Sequence, residues 1–177
     1  MTYKNTLQSA VAFSSLLMMG ANTTTNAQVN SSQTASTLHE LQGTWRMHTA
    51  YEILADGSRV TTYTEHPHGL LMIDHDGHYS LQIFHPNRRR LEKGKAAASI
   101  DELKDAVIGS STHFGKISID HAKMQLIFQI EVASFTNWNG SIQIRDFQLK
   151  DGLLSYQVPA SASPNGTIAY SVWKREL

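Results

Sequence analysis

The stretch Gly43-Thr44-Trp45-Arg46 opens the longest alternating segment of the chain, which extends to Leu54. Mainly apolar side chains occupy one side of this segment: Trp45, Met47, Thr49, Tyr51 and Ile53. Polar and charged side chains occupy the other: Arg46, His48 and Glu52. Successive side chains of a strand point to opposite faces, so the pattern predicts a half-buried β-strand with Tyr51 facing inward.

The remainder of the chain contains short alternating segments separated by turn sequences. Further strands are predicted at 60–63, 69–73, 78–84, 115–120, 124–132, 141–150, 153–158 and 167–175. The sequence Asp74-His75-Asp76-Gly77 is typical of a tight hairpin turn. In segment 141–150 the apolar positions change side between Ile144 and Phe147, which predicts a β-bulge. This spacing of strands favours an antiparallel barrel or sandwich.

One helix is expected within this β-structure. Ser99 followed by Glu102 forms the pattern of a capping box, and the helix is predicted to extend to about Ser110. Its apolar residues recur at helical spacing, at Leu103, Ala106 and Val107. The predicted fold class is therefore all-β, with about 8–10 strands and one short helix.

The composition excludes several classes of protein. The chain has 177 residues, with 15 Lys and Arg against 15 Asp and Glu, and no cysteine. A balanced charge gives no general attraction to nucleic acid, so no nucleic-acid partner is predicted. Without cysteine there is no disulfide, thiolate metal site or cysteine nucleophile. A single domain of about 140 residues is large enough to form its own core.

The N-terminus has the pattern of a secretion signal. Lys4 precedes an apolar region at 7–21, and small residues at 25–27 provide a cleavage site. We therefore expect a signal peptide at 1–27, a flexible leader at 28–37 and the folded domain at 38–177. The expected location is periplasmic or secreted, with no stable membrane insertion after cleavage of the signal.

The chain resembles the bacterial and fungal lipocalin-like domain family, a branch of the calycin superfamily. The matching segments are 41–46, 54–59, 69–73, 76–83, 114–115, 137–140 and 172–175. The resemblance implies a single antiparallel β-barrel closed around a cavity for a small hydrophobic or amphipathic ligand. It also implies that Trp45 packs across the closed end under an arginine from a late strand. Arg175 is the first candidate for that arginine and Arg145 the second.

Seven residues are candidates for contact with such a ligand. They are Tyr51, Tyr79, Ile83, Arg88, His113, Phe128 and Trp138. Tyr51 and Tyr79 share a face with apolar neighbours, and a buried phenol needs a hydrogen-bond partner in the wall or in a ligand. Arg88 belongs to a cationic loop at 85–98, which either attracts an anionic ligand or is simply solvated. Trp138 lies in a loop that would cap the mouth of a barrel.

The function class remains open between binding and catalysis. Some lipocalin-fold proteins of natural-product pathways are isomerases or cyclases, so the resemblance permits a small enzyme acting on a hydrophobic substrate. His113 would be a general base if it faced the cavity. No nucleophile–base arrangement is evident, and no catalytic residue is assigned. An exported envelope protein without a small ligand is a third reading, and the oligomeric state is not predicted.

Two histidine pairs have spacings that a metal ion could use. They are His66 with His68, and His75 with His78. Neither pair has an evident third ligand held by regular structure, so solvated loop histidines are the preferred interpretation. No metal and no cofactor are predicted.

Overall fold

Eight antiparallel strands close into a barrel in the computed structural model, which describes residues 38–61, 67–158 and 167–176. In chain order the strands are β1 Gly43–Ile53, β2 Arg59–Thr61, β3 His68–Ile73, β4 His78–Phe84, β5 Ser110–Asp120, β6 Gln125–Ala133, β7 Ile142–Lys150, β8 Leu153–Val158 and β9 Ile168–Arg175. One α-helix, α1 (Ile100–Ile108), lies between β4 and β5. β1 pairs with β3, each strand from β3 to β8 pairs with the next, and β9 closes the barrel on β1. The short β2 extends the sheet beside the last residues of β1.

This architecture confirms the predicted all-β barrel with one helix. The strand at 60–63 is found as β2, and residues 62–66 lie outside the described part of the chain. The predicted signal peptide at 1–27 and leader at 28–37 also lie outside it. β5 begins at Ser110, five residues before its predicted start, because α1 ends at Ile108 and only Gly109 separates the two elements.

The end of the barrel where β1 begins is closed by Trp45. Its ring is fully buried, and Nε1 donates a hydrogen bond of 2.8 Å to the carbonyl oxygen of Leu41. The guanidinium carbon of Arg175 lies 4.3 Å from the centre of the Trp45 ring. The same guanidinium donates to the carbonyl oxygens of Gln42, at 2.6 Å, and Glu40. Arg175 is therefore the arginine that packs on Trp45, as expected.

A β-bulge in β1 changes which residues face the barrel interior. The pairing with β9 shifts register between Met47 and Thr49. Beyond that point Ala50 and Glu52 are buried, whereas Tyr51 is only partly buried. The prediction that Tyr51 faces inward is wrong, because one extra residue in a strand moves every later side chain to the opposite face.

In β7, by contrast, the predicted bulge is absent. The strand pairs in continuous register with β6 from Ile142 to Asp146. Ile142 and Ile144 are 66% and 50% exposed on the outside, and Arg145 and Phe147 are buried inside. The apolar side chains change side because an arginine occupies an interior position in a regular strand.

The capping box of α1 is confirmed. Ser99 Oγ accepts a hydrogen bond from the backbone amide of Glu102, and the Glu102 carboxylate accepts one from the backbone amide of Ser99. The apolar residues of the helix remain largely exposed, including Leu103 and Val107. Within the described ranges, no helix has both the length and the apolar character to cross a membrane.

Candidate ligand-binding site

Four aromatic side chains meet inside the barrel and extend toward the end opposite Trp45. Connections at that end join β4 to β5 and β6 to β7, and Trp138 lies in the second of them. The ring of Tyr79 lies 5.4 Å from that of His113 and 5.1 Å from that of Phe128, measured between centroids. His113 lies 5.8 Å from Phe128 and 5.9 Å from Trp138. All four contacts are edge to face, an arrangement that aromatic pairs prefer.

Within this group Tyr79 and His113 form a hydrogen bond. The Tyr79 hydroxyl lies 2.8 Å from His113 Nδ1. Burial lowers the pKa of His113 to about 3, with a further contribution from the charge of Arg145. Burial raises the pKa of Tyr79. Both groups are therefore neutral at pH 7, and the tautomer of the imidazole determines which of them donates the hydrogen bond.

Arg145 places a guanidinium in the same interior. The side chain is buried, and its guanidinium carbon lies 4.3 Å from the Phe128 ring centre and 5.2 Å from that of Tyr156. Its Nη2 donates to Oε1 of Gln143 at 2.6 Å. Across the described residues, Arg145 forms no ion pair, and the hydroxyl of Tyr156 is a further polar neighbour of its guanidinium. Burial lowers its pKa.

Two further buried polar atoms lie beside Arg145: the Tyr156 hydroxyl and Nε1 of Trp173. The two rings are stacked with centroids 6.3 Å apart, and Ser171 lies opposite Tyr156 in the β8–β9 register. Burial raises the pKa of Tyr156, while the charge of Arg145 and hydrogen bonds with Trp173, Ser171 and Arg145 oppose that rise. Arg145, Tyr156 and Trp173 thus form one cluster of polar groups in the interior.

Of the other predicted ligand contacts, Ile83 is buried inside the barrel, whereas Tyr51 and Arg88 lie outside it. Tyr51 stacks on Tyr170 with ring centres 4.9 Å apart, and Arg59 lies 3.6 Å from the Tyr51 ring centre. Arg88 is exposed; its guanidinium carbon lies 4.4 Å from the centre of the Phe84 ring. Tyr51 is consequently no part of the interior site, and Arg88 lies on the surface near the start of β5.

The sequence-based selection omitted Arg145, Tyr156 and Trp173 from the site. The spacing of Arg145 could have indicated an interior position. Arg145 lies two residues before Phe147 and four before Leu149, and residues at this spacing share one face of a strand. Tyr156 and Trp173 lie on strands whose inward face could not be assigned from sequence alone. The structure joins these three residues to Tyr79, His113 and Phe128 in one interior.

Of the histidine pairs, His75 lies in the turn between β3 and β4, and His68 and His78 are the exposed first residues of those two strands. His78 Nδ1 lies 3.1 Å from Asp74 Oδ2, and His75 Nε2 lies 3.2 Å from Asp76 Oδ2. His66 lies outside the described residues. No group of three or more His, Asp or Glu side chains suited to a metal ion occurs in the portions of the chain that the structure describes.

Comparison with known families supports this architecture. The sequence profile of the lipocalin-like domain matches residues 42–176, which includes every strand of the barrel. This chain belongs to the lipocalin-like domain family. A search of curated proteins finds no significant match. Membership in the family identifies the barrel as one of the ligand-binding lipocalin type and leaves the ligand to be argued from the site.

Proposed function

We propose that this lipocalin-like protein binds a small hydrophobic or amphipathic molecule inside its barrel. The observation that carries the proposal is the connected group of Tyr79, His113, Phe128 and Trp138. These rings extend from the buried interior to a partly exposed tryptophan at the end opposite Trp45. Binding sites for small molecules are mostly apolar and contain a few polar groups that orient the ligand.

The two ends of the barrel support one direction of entry. Trp45 and Arg175 fix the N-terminal segment across one end through hydrogen bonds and ring contact. At the other end, the connection that carries Trp138 has side chains in contact with the interior. We therefore place ligand entry beside Trp138.

Thermal unfolding with a panel of fatty acids, fatty alcohols and aromatic acids tests the proposal. A ligand present at about 100 times its dissociation constant should stabilise the protein by about 2.7 kcal/mol. The variant Phe128→Leu should reduce this stabilisation, whereas the matched variant Tyr51→Leu, on the outside of the barrel, should preserve it. If no member of the panel stabilises the protein, the proposal fails.

Catalysis by the Tyr79–His113 pair is the second candidate function, favoured by the hydrogen bond between these two buried groups. General acid–base catalysis is most effective when the pKa of the catalytic group lies near the working pH. The pKa of His113 is lowered to about 3 and that of Tyr79 is raised, so both shifts move away from pH 7. Binding is therefore preferred. Turnover of a hydrophobic substrate that falls at least about tenfold in Tyr79→Phe would favour an isomerase or cyclase.

We also propose that the protein is exported to the periplasm or the medium. The support is the sequence pattern of a basic residue, an apolar region and a small-residue site within residues 1–27. Cell fractionation with mass measurement of the purified protein tests this. A mature chain beginning at Gln28 agrees with export, and an intact chain in the cytoplasm contradicts it.

A further inference from the structure

Helix α1 exposes its apolar side chains and carries a basic loop beside it. We propose that the end of the barrel carrying α1 binds reversibly to a lipid surface with anionic headgroups, with the helix lying in the plane of that surface. The proposal concerns the outside of the protein and is independent of the ligand proposed for its interior.

The apolar residues of α1 lie on one exposed face. The side chains of Ile100, Leu103, Val107 and Ile108 are between 42% and 83% exposed. With 3.6 residues per turn, these positions fall within an arc of about 140° around the helix axis. A helix on the surface of a domain normally packs such a face on the core. In α1 the face points away from the barrel, and exposed apolar patches of this kind mark contacts with proteins or membranes.

The opposite face of α1 is held by polar contacts with the preceding loop. Asp105 accepts a hydrogen bond of 2.7 Å from the backbone amide of Arg89, and Glu102 accepts one of 3.3 Å from that of Glu92. Both acidic side chains are partly buried, and Asp101 lies at the edge of the exposed face. Two of the three carboxylates of α1 are therefore turned away from the apolar side chains.

The loop that these carboxylates hold is basic. Loop 85–98 contains one acidic residue and five exposed basic ones: Arg88, Arg89, Arg90, Lys93 and Lys95. In the ranges that the structure describes, Arg90, Lys93 and Lys95 form no ion pair. Lys104 lies within the apolar face itself, where its methylene groups can be covered while its ammonium stays in contact with water or headgroups.

A further apolar residue is exposed at the same end of the barrel. Phe135, on the connection from β6 to β7, is 54% exposed, and its ring centre lies 5.5 Å from that of Trp138. A flat surface at this end can therefore meet both α1 and Phe135. Such a contact would bring the proposed ligand entry beside Trp138 close to the lipid.

The combination of apolar and basic side chains favours a lipid surface over a second copy of the chain. In a symmetric pair formed through α1, the basic loops of both copies would lie near each other and repel. An anionic bilayer carries the opposite charge, and it takes up the apolar face of an amphipathic helix at the boundary between headgroups and acyl chains.

Sedimentation of the full-length protein with vesicles tests the proposal. One set of vesicles contains phosphatidylcholine alone, and the other contains phosphatidylcholine and phosphatidylglycerol in equal parts. The protein should bind the anionic vesicles at least about tenfold more tightly, and added salt should reduce the difference. Equal binding to both sets, or binding to neither, would overturn the proposal. A dimer found together with an absence of vesicle binding would assign the apolar face to a second copy.

A paired substitution in α1 assigns the binding to the helix. Ile100→Gln combined with Val107→Gln should weaken binding to the anionic vesicles at least about tenfold and leave the free energy of unfolding unchanged. Met72→Gln combined with Ile144→Gln is the matched control, because both residues are exposed on the barrel wall, and it should retain binding. Residues 1–37 are the same in all these proteins, so they cannot cause a difference between them.

Two results of this comparison would contradict the proposal. Equal losses of binding in the two pairs would show that α1 has no special part in it. A loss of stability in the α1 pair without a loss of binding would show that another part of the chain covers the apolar face.

Substitutions in loop 85–98 test the role of charge. Replacing three of its basic residues should remove the preference for anionic vesicles: Arg90→Gln, Lys93→Gln and Lys95→Gln. The control removes the same charge from exposed positions on β5, β7 and β9, with Lys116→Gln, Lys150→Gln and Lys174→Gln, and should retain the preference. A preference that persists in the loop variant, or disappears equally in both, would overturn the proposal.

Discussion

The hydroxyl of Tyr79 lies 2.8 Å from Nδ1 of His113, and neither side chain is charged at pH 7. The pair joins β4 to β5 inside the barrel, beside the Phe128 ring. Because burial holds the pKa of His113 at about 3, its proton uptake differs between the folded and unfolded chain. The stability of the fold is therefore expected to decrease as the pH falls.

We predict that His113 destabilises the fold as the pH falls from about 6.5 to about 3. In this window the unfolded imidazole binds a proton and the folded one does not, so protonation favours unfolding. The free energy of unfolding should fall by up to about 1.4 kcal/mol per pH unit from this group alone. Urea unfolding between pH 4 and pH 7 should therefore give a shallower dependence for His113→Gln than for the wild type.

The control for this measurement is His48→Gln, which alters an exposed histidine of β1. It makes the same exchange of side chains at a position outside the barrel interior. Identical pH dependence in the wild type and His113→Gln would refute the prediction.

The ligand-free protein should not need Arg145 for stability. Replacing a buried ionic group by an apolar side chain of similar length is often neutral, or stabilising by about 1–4 kcal/mol. We expect Arg145→Met to unfold at the same temperature as the wild type or at a higher one, measured by calorimetry without added ligand. A loss of about 2 kcal/mol or more would instead indicate that Arg145 supports the fold.

The opposite result is expected for Arg175, whose guanidinium packs on Trp45 and bonds two backbone carbonyls. Arg175→Met should lower the free energy of unfolding by about 1–3 kcal/mol, because it removes two charged hydrogen bonds to backbone carbonyls together with the packing on Trp45. Arg46→Met, which removes an exposed ion pair with Glu176, should change it by about 1 kcal/mol at most. Urea titration of the two variants makes the comparison, and an equal effect of both would contradict the role of Arg175.

Tryptophan fluorescence should report ligand entry. The chain has three tryptophans; Trp45 and Trp173 are fully buried, and Trp138 is partly exposed. Acrylamide should quench mainly Trp138, and a bound ligand should reduce that quenching because it covers the ring. Trp138→Phe should remove the quenched component in the absence of ligand. Unchanged quenching at saturating ligand would place the entry elsewhere.

The sequence contained enough information for the fold. Turn residues such as Asp74-His75-Asp76-Gly77 fix hairpins locally, and Gly77 has the positive φ of 81° that such a turn requires. The capping box of Ser99 and Glu102 is likewise a local pattern, and it marks the start of α1 correctly. Features determined by neighbouring residues were thus predictable.

The orientation of two strands was not predictable, because it depends on pairing with distant residues. A bulge in β1 occurs against β9, more than a hundred residues away, and it moves Tyr51 to the outside. In β7 the change of apolar side between Ile144 and Phe147 predicts a bulge, whereas the strand is regular and carries Arg145 inside the barrel. Both errors concern which face is buried, and the second one concealed Arg145 from the predicted site.

The division between the two barrel ends has a consequence for altering this protein. Trp45 and Arg175 hold one end, while Arg145, Tyr156 and Trp138 lie deeper in the barrel or toward the other. The selection of a ligand and the stability of the fold therefore depend on largely different side chains. Substitutions at the Trp138 end should therefore alter which molecules enter the barrel, while the contacts of Trp45 and Arg175 that hold the opposite end persist.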